Sequence, residues 1–355
     1  MFRSSSLYDI VAPTSMGVRL TPQDRQPVQT SEWYRMQATS AESNVLSCGA
    51  ALGLHTKVLT AFIKDHSISS YIQGELRKRN INYEGPILDQ TGPWGIRHQI
   101  NIADSGFGLH GPSVLNDRAG EVARILKSTD FDLIKLFEQD GVKVLHISGL
   151  FASLSEETGT LCLELVNLAK TNNTRVSFDI NYRPSFWEHR KSELSDLFHQ
   201  LAQQSDILIG NEEDFQLALG IPGPEPGGVD IVPKLGQYET MIETTMKQYP
   251  NLSHVAVTLR EAISANEHRW GAILQSTAYH IVEPIRIPVM DRIGGGDGFV
   301  GGLLYGLITG MSDEDSLHFA WANGAYTVTL LNDYSQPLNE DEIWRVWQHN
   351  ARIRR

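Results

Sequence analysis

The stretch VKVLHISGLFASLSEETGTLCLELVNLAKTNNTRVSFDIN, Val142 to Asn181, decides the fold class. Its first part, VKVLHISGLFA, is an apolar run closed by a glycine and reads as a buried strand. EETGTLCLELVNLAKTNN carries apolar residues at helical spacing, and RVSFDIN reads as a second strand. The same unit recurs downstream: SELSDLFHQLAQQ predicts a helix, DILIGN a strand, EEDFQLALG a helix stopped by Gly220, and HVAVTLR a strand. Upstream, NVLSCGAALGLHTKVLTAFI predicts a helix from Asn44 to Leu52, a stop at Gly53 and a strand from Thr56 to Phe62. SYIQGELRKRNI predicts another helix. Strands alternating with helices imply a mainly parallel sheet covered on both faces, a three-layer α/β sandwich. Such sheets bind ligands in the crevice at the carboxyl ends of their strands. Two regions interrupt the rhythm: the polar text from Pro13 to Met36, and the glycine-punctuated, helix-free text from Gly85 to Leu115. A small β lid, built from about residues 13–38 and 86–118 on one domain spanning 1–355, accounts for both. GIPGPEPGGVDIVPK, rich in proline and glycine, reads as a loop.

A formal net charge of -12 argues against general affinity for nucleic acid or an anionic membrane. No stretch approaches the ~20 apolar residues of a membrane helix. The N-terminal MFRSSSLYDIVAPTSMG lacks the apolar run of a signal peptide. The two cysteines, Cys48 and Cys162, stand in no metal-ligand spacing and read as buried thiols of a reducing compartment. The expectation is a cytoplasmic protein.

The chemistry lies in DRIGGGDGFVGGLLYGLITG, Asp291 to Gly310. Tight turns and helix caps explain many glycine clusters. Gly296–Gly301 also fits G-x-G-x-x-G, but the dinucleotide fingerprint belongs to a first strand-turn-helix unit and wants an acidic strand end ~20 residues on, which is missing here. A third reading is physical. The first turn of a helix offers N–H groups without helical acceptors and the positive end of the dipole. Glycines let those groups close on phosphate. An aspartate beside them would repel the anion unless it takes a proton from an attacking hydroxyl, as phosphoryl transfer requires.

With this motif on the page, the chain resembles the ribokinase-like carbohydrate kinases, and within them the 2-keto-3-deoxygluconate kinases. The signature reads Asp291, Gly294, Gly295, Gly296, Asp297, then GFVGGLLYG. FDINYRPSFW is similar to an Asp-Pro-Asn-x-Arg-x-x-x-Trp segment, LHISGL to a His-x-Ser-Gly strand end, and NEEDFQLALG to an Asn-Glu-Glu-Glu helix start. VTLREAISANEHRWGAIL resembles the nucleotide-side strand and loop; RLTP and AESNV match the front of the family. The resemblance spans nearly the whole chain in order. It implies a ribokinase-like fold, ATP and Mg²⁺ as cofactors, and a small sugar or sugar acid as acceptor, with 2-keto-3-deoxygluconate foremost. Asp297 is then the catalytic base, and Gly294, Gly295 and Gly296 the anion hole. Arg183 contacts the transferring phosphate or the sugar acid. Ser40, Asn44, Trp94 and Asp333 surround the substrate, and Arg118 grips its carboxylate. Asn181, Asn211, Thr258, Arg260 and Asn323 lie along the nucleotide, and Asp214 reaches the metal through water. The resemblance also implies a lid that excludes water and a homodimer formed through it.

The front half departs from the pattern. Thr39-Ser40 replace a Gly-Gly pair that lets backbone approach the sugar, and Thr14-Ser15 replace a Gly-Glu strand end. Asp65 is kept without its glycine, Asn116-Asp117 replace an aromatic pair, Trp94 stands where a lid tyrosine is common, and Asp214 replaces a glutamate. Two functions therefore remain open: a kinase, or a paralogue that binds nucleotide or sugar without turnover. His146, Trp187, Trp270 and Trp321 read as core residues. EDEIWRVWQHNARIRR reads as an amphipathic helix docked on the body, with a basic tip.

Overall fold

The computed structural model describes residues 2–228 and 230–352. Its strands, in chain order, are β1 (Tyr8–Pro13), β2 (Gly17–Pro22), β3 (Tyr34–Thr39), β4 (Thr56–Leu59), β5 (Phe62–Ile63), β6 (Ile81–Glu84), β7 (Ile87–Leu88), β8 (Gln99–Ala103), β9 (Val114–Asp117), β10 (Val142–Ser148), β11 (Arg175–Asp179), β12 (Ile207–Gly210), β13 (His254–Ser264), β14 (Glu267–Gln275) and β15 (Tyr279–Pro288). The helices are α1 (Ala41–Ala51), α2 (Ser67–Lys78), α3 (Gly149–Ala152), α4 (Glu156–Thr171), α5 (Pro184–Trp187), α6 (Lys191–Gln204), α7 (Glu212–Leu219), α8 (Leu235–Gln248), α9 (Gly295–Thr309), α10 (Asp313–Thr327) and α11 (Glu340–Trp347).

Nine strands form the central sheet in the order β15-β14-β13-β12-β11-β10-β1-β4-β6. Pairing is parallel from β6 to β13; β14 and β15 add antiparallel at the edge. The chain winds outward from β1 through β4 and β6, then returns to β10 on the other side of β1 and winds away through β13. The switch point therefore lies between the carboxyl ends of β1 and β10, where an open α/β sheet leaves a crevice.

Successive strand residues feed opposite layers. Val11, Leu145, Phe178, Leu208 and Val255 pack with the apolar faces of α4, α6, α7 and α8. Ile10, Ala12, Val144, Ile207 and Ile209 pack with α1, α2, α9, α10 and α11 on the other face. Both faces are covered, which is why the strands read as continuous apolar runs. Trp187 lies in the first core, Trp270 and Trp321 in the second. His146 is fully buried with Nδ1 3.2 Å from the Ser177 hydroxyl, and burial pushes its pKa down to about 3. Cys48 and Cys162 are free and buried.

The two interruptions in the rhythm meet in one four-stranded sheet, β3-β2-β8-β9. The text from Pro13 to Met36, irregular to the eye, contains β2 and the first half of β3. Polar residues interleaved with apolar ones hide these strands, and Tyr34–Met36 of β3 and Val114–Asn116 of β9 meet solvent. The Thr56–Phe62 run is split into β4 and β5 rather than forming one strand. The helix α8 and the antiparallel pair β14–β15 add to the expected scheme. The loop at 220–234 holds no element before a short turn at Val232–Lys234, with Val229 outside the described residues. The C-terminal helix ends at Trp347, and the tip at 353–355 is likewise outside them. Among the described residues no helix is long and apolar enough to cross a membrane.

Candidate active site

Helix α9 begins behind Gly294, whose φ of 86° is left-handed. A side chain there would be strained, and its Cβ would run into the Asp333 carbonyl. Gly295 and Gly296 form the first turn, and Asp297 follows on it. The rest of α9 is glycine-rich for a different reason. At Gly301 an added Cβ would strike the Val45 carbonyl of α1, so the bare position lets the two helices touch. That contact sets Asn44 of α1 beside Asp297, where its Nδ2 donates to Oδ2 at 2.8 Å.

Asp297 is half-buried, and its pKa is pushed up to about 7. Loss of water is the main cause. The Asn44 hydrogen bond opposes it, the charges of Asp333 and Glu42 add to it, and Arg183 opposes it. A carboxylate that accepts protons near neutral pH suits a general base. Asp179, at the end of β11, is held well above the usual carboxylate range by burial, then by Asp214 and Asp297. Asp214 is pushed up to about 6, chiefly by burial. Three acids therefore crowd one crevice, with Arg183 at its mouth.

The strand ends explain the placement. Asn181, just past β11, has a positive φ of 42°; its Nδ2 donates to Ser148 Oγ at 3.2 Å, and its Oδ1 is buried without a partner. A non-glycine residue held in this conformation marks a constrained site. Arg183 caps α5, is exposed, and donates to the Tyr182 carbonyl at 2.7 Å. Asn211 caps α7: its Oδ1 accepts from the Asp214 amide at 3.0 Å. Asp214 accepts the amides of Asn211 and Tyr182, each at 2.8 Å.

Beyond these acids, positive charge gathers. Arg260 is pushed down to about 10 by burial first, then by the charge of Arg292, with Arg183 adding. Arg292 is lowered by burial and then by Arg183. His268, on the neighbouring β14, is pushed down to about 4 by burial and by Arg260 and Arg292. Three guanidiniums close enough to disfavour one another's charge make a seat for an anion. Thr258 stands half-buried on β13 of the same sheet edge.

On the other side, Arg19 of the small sheet is buried between two acids. Its guanidinium pairs with Asp291 at 2.6 Å and with Asp333, which also accepts the Thr39 hydroxyl at 2.9 Å. Asp333 is therefore engaged through both oxygens and anchors the lid to the turn before α9; it does not present a free carboxylate. Asn323, expected near the nucleotide, is fully buried, with Nδ2 donating to the Gly298 carbonyl at 2.6 Å and Oδ1 accepting from Ser335 at 2.7 Å, so it fastens α10 to α9. Trp94 is 97% exposed and is not brought to Asp297. Ser40 caps α1, accepting the Ser43 amide at 3.0 Å. Arg118 pairs with Glu121 at 2.6 Å beside a cavity that Ser40 and Glu42 also line. Residues without an assigned role in the sequence reading thus join the site: Asp179, Glu42, Glu121 and Arg292. Asp179 and Glu42 lie in the segments FDINYRP and AESNV, and Arg292 lies between Asp291 and the glycines. For Glu121 no signal stood out.

The profile of pfkB family carbohydrate kinases matches residues 34–339. The chain belongs to that family. This pfkB kinase is 23% identical over 330 residues to a 5-dehydro-2-deoxygluconokinase of Clostridium tetani, covering 90% of this chain and 87% of the relative. It is 24% identical over 329 residues to a 2-dehydro-3-deoxygalactonokinase of Haloferax volcanii, covering 93% of each. In three dimensions it is similar to a 2-dehydro-3-deoxygluconokinase from Thermotoga maritima, with a TM-score of 0.86, 26% identity, and coverage of 97% of this chain and 99% of that one. The sheet order, the small accessory sheet and the glycine-aspartate helix start are thus those of a sugar kinase with a ribokinase-like fold.

Proposed function

We propose that this sugar kinase transfers the γ-phosphate of ATP to a hydroxyl of a small six-carbon acceptor of the keto-deoxy sugar type, with 2-keto-3-deoxygluconate as the reference skeleton. The observation that carries the proposal is Asp297: a carboxylate tuned to about 7, fixed by Asn44, in the first turn of a helix whose N-terminus is bare glycine. The acceptor oxygen attacks the γ-phosphorus, its proton passes to the Asp297 carboxylate, and the bond from the γ-phosphorus to the bridging oxygen of ADP breaks. The first-turn amides at Gly294–Gly296 and Arg183 receive the charge spread over the moving phosphoryl oxygens. Arg260 and Arg292 hold the rest of the triphosphate, with Asn181, Asn211 and Thr258 along the same edge.

Asp179 and Asp214, hard oxygen donors close enough for the Asp214 charge to be felt at Asp179, would hold Mg²⁺. The amide bonds to both Asp214 oxygens favour contact through metal-bound water, and among the described residues no group of three acidic, histidine or cysteine side chains forms a closed metal cage. Mg²⁺ typically keeps several waters and takes only one or two carboxylates besides phosphate; it would neutralise phosphate charge.

The alternative of a binding paralogue without turnover rested on crowding by Thr39 and Ser40. The Thr39 hydroxyl is turned to Asp333 and the Ser40 hydroxyl caps α1, which supports the enzyme reading. The small sheet leaves Tyr34, Met36, Val114 and Leu115 exposed, and we propose that a second copy covers them in a lid-to-lid dimer in the cytoplasm. The test of the enzyme is an ADP-release assay with Mg·ATP over a sugar panel. Turnover at ~1–100 per second supports it. Absence of ADP release with every sugar, from folded protein, refutes it.

A further inference from the structure

A small, partly open cavity lies by the switch point between β1 and β10, lined among others by Ser15, Glu42, Gln99, Arg118 and Phe151. Glu42, Gln99 and Glu121 are each 2% exposed. Three of its lining residues carry a buried polar atom with no partner among the described residues, Glu42 Oε1, Gln99 Oε1 and Arg118 Nε, and Glu121, bonded to the lining residues Ser15 and Arg118, adds a fourth, Oε2. Buried polar atoms are nearly always paired, so such a cluster asks for a partner from outside the chain. Three of the four are acceptors. The remaining functional groups are already fixed: Thr14 donates to Glu42, Ser15 to Glu121, and the Gln99 amide to the Ser15 carbonyl at 3.2 Å.

The cavity and the chemistry share the start of α1. Glu42 and Asn44 share the first turns of α1; Asn44 holds Asp297, and the Glu42 charge is felt at Asp297. An acceptor with its reacting hydroxyl at Asp297 therefore puts its far end among these orphans. The charge there is not that of a carboxylate site. The Arg118 guanidinium is neutralised by Glu121 at 2.6 Å, and Glu42 stands beside them as a second acid. An incoming carboxylate would meet two acids, the Gln99 carbonyl oxygen and one arginine already bound. A hydroxyl end satisfies the acceptors by donating.

On the kinase reading above, we infer that this pocket takes the hydroxyl end of a neutral keto sugar and disfavours the matching sugar acid, with Glu121 and Glu42 as the residues that set the choice. The role expected of Arg118 from the resemblance, gripping a substrate carboxylate, is thereby replaced: Arg118 positions Glu121.

The test uses two acceptors that differ only at C1: 3-deoxyfructose, ending in CH₂OH, and 2-keto-3-deoxygluconate, ending in a carboxylate. Each is titrated calorimetrically into the full-length protein, and ADP release is followed separately. The neutral sugar is expected to bind at least ~10-fold more tightly, since like charges across a contact are strongly selected against. Glu121→Gln, which frees Arg118, shifts the preference toward the acid by on the order of 10-fold. Glu42→Gln, which converts one orphan acceptor into a donor, shifts it the same way and covers the case in which Glu121→Gln fails to fold. Equal or tighter binding of the acid by the unaltered protein overturns the inference. So does a preference that neither variant moves, or no binding of either sugar. Binding of the neutral sugar without ADP release upholds the pocket's selectivity and instead overturns the kinase reading.

Discussion

Asn44→Ala separates the tuning of Asp297 from its presence. The amide bond at 2.8 Å favours the charged carboxylate and is the largest influence holding its pKa down against burial. A hydrogen bond to a charged group contributes roughly 1.5–3 kcal/mol. At 1.36 kcal/mol per unit, its loss raises the Asp297 pKa by roughly one to two units above the present value of about 7. The base form is required, so kcat/KM rises with pH through about 7 in the unaltered enzyme. In Asn44→Ala the same limb moves upward by roughly one to two pH units, activity at neutral pH falls by roughly 5- to 50-fold, and it recovers in alkaline buffer. Asp297→Asn loses on the order of 10²–10⁴ in rate with no such recovery. Stability runs the opposite way. The folded state holds a proton on Asp297 that the unfolded chain releases above the ordinary value of 3.8, so this carboxyl's contribution falls as pH rises from 3.8 to about 7 and is level beyond. In Asn44→Ala the decline extends further toward alkaline pH. The measurement is a pH profile of kcat/KM, paired with thermal melts. A limb that stays in place, or a loss of rate equal at every pH, refutes the tuning and leaves Asn44 a packing residue.

Other outcomes follow from the same geometry. Arg19→Met leaves Asp291 and Asp333 facing each other in the interior; it costs roughly 3–5 kcal/mol, read as a Tm lower by about 4–7 °C, and Arg19→Met with Asp291→Asn and Asp333→Asn regains part of the loss. Arg260→Leu with Arg292→Leu raises KM for the nucleotide by roughly 10-fold or more while KM for the sugar stays level, checked by varying each substrate in turn.

Much of the fold was legible because both faces of a parallel sheet are buried. The continuous apolar runs at Val142, Arg175, Asp206 and His254 announce strands without needing partners, and the glycines at Gly220 and Gly310 mark helix ends through left-handed caps. The lid was legible only as an interruption, since β2, β3, β8 and β9 are short and mix polar with apolar residues. The candidate site divides the same way. Asp297 and the glycines announce themselves by an expensive local pattern, and Asn211 by a capping box closed with Asp214. The bonds of Asn323 to Gly298 and Ser335 were not legible, because an asparagine on a helix looks alike whether it faces ligand or locks two helices. Glu121 was invisible because its meaning depends on Ser15, 106 positions away.

That last pair bears on why the unusual front half is compatible with a working site. At the first strand's end the chain carries Ser15 where the resemblance expects an acid. The Ser15 hydroxyl donates to Glu121, which brings a carboxylate to the same place. Thr39 likewise stands where a bare backbone is expected, and its hydroxyl is spent on Asp333, the residue whose own carbonyl lies against Gly294. Arg19 then ties Asp333 and Asp291 together across the turn that opens α9. Each departure is thus matched by a partner that consumes the added polar group. The turn bearing the amides and Asp297 is held from the lid side by a charged clamp, so a lid that shifts on binding sugar acts directly on the backbone facing the phosphate. Mutual dependence of sugar and nucleotide affinity is the expected consequence, and it vanishes in Arg19→Met if the clamp is what transmits it.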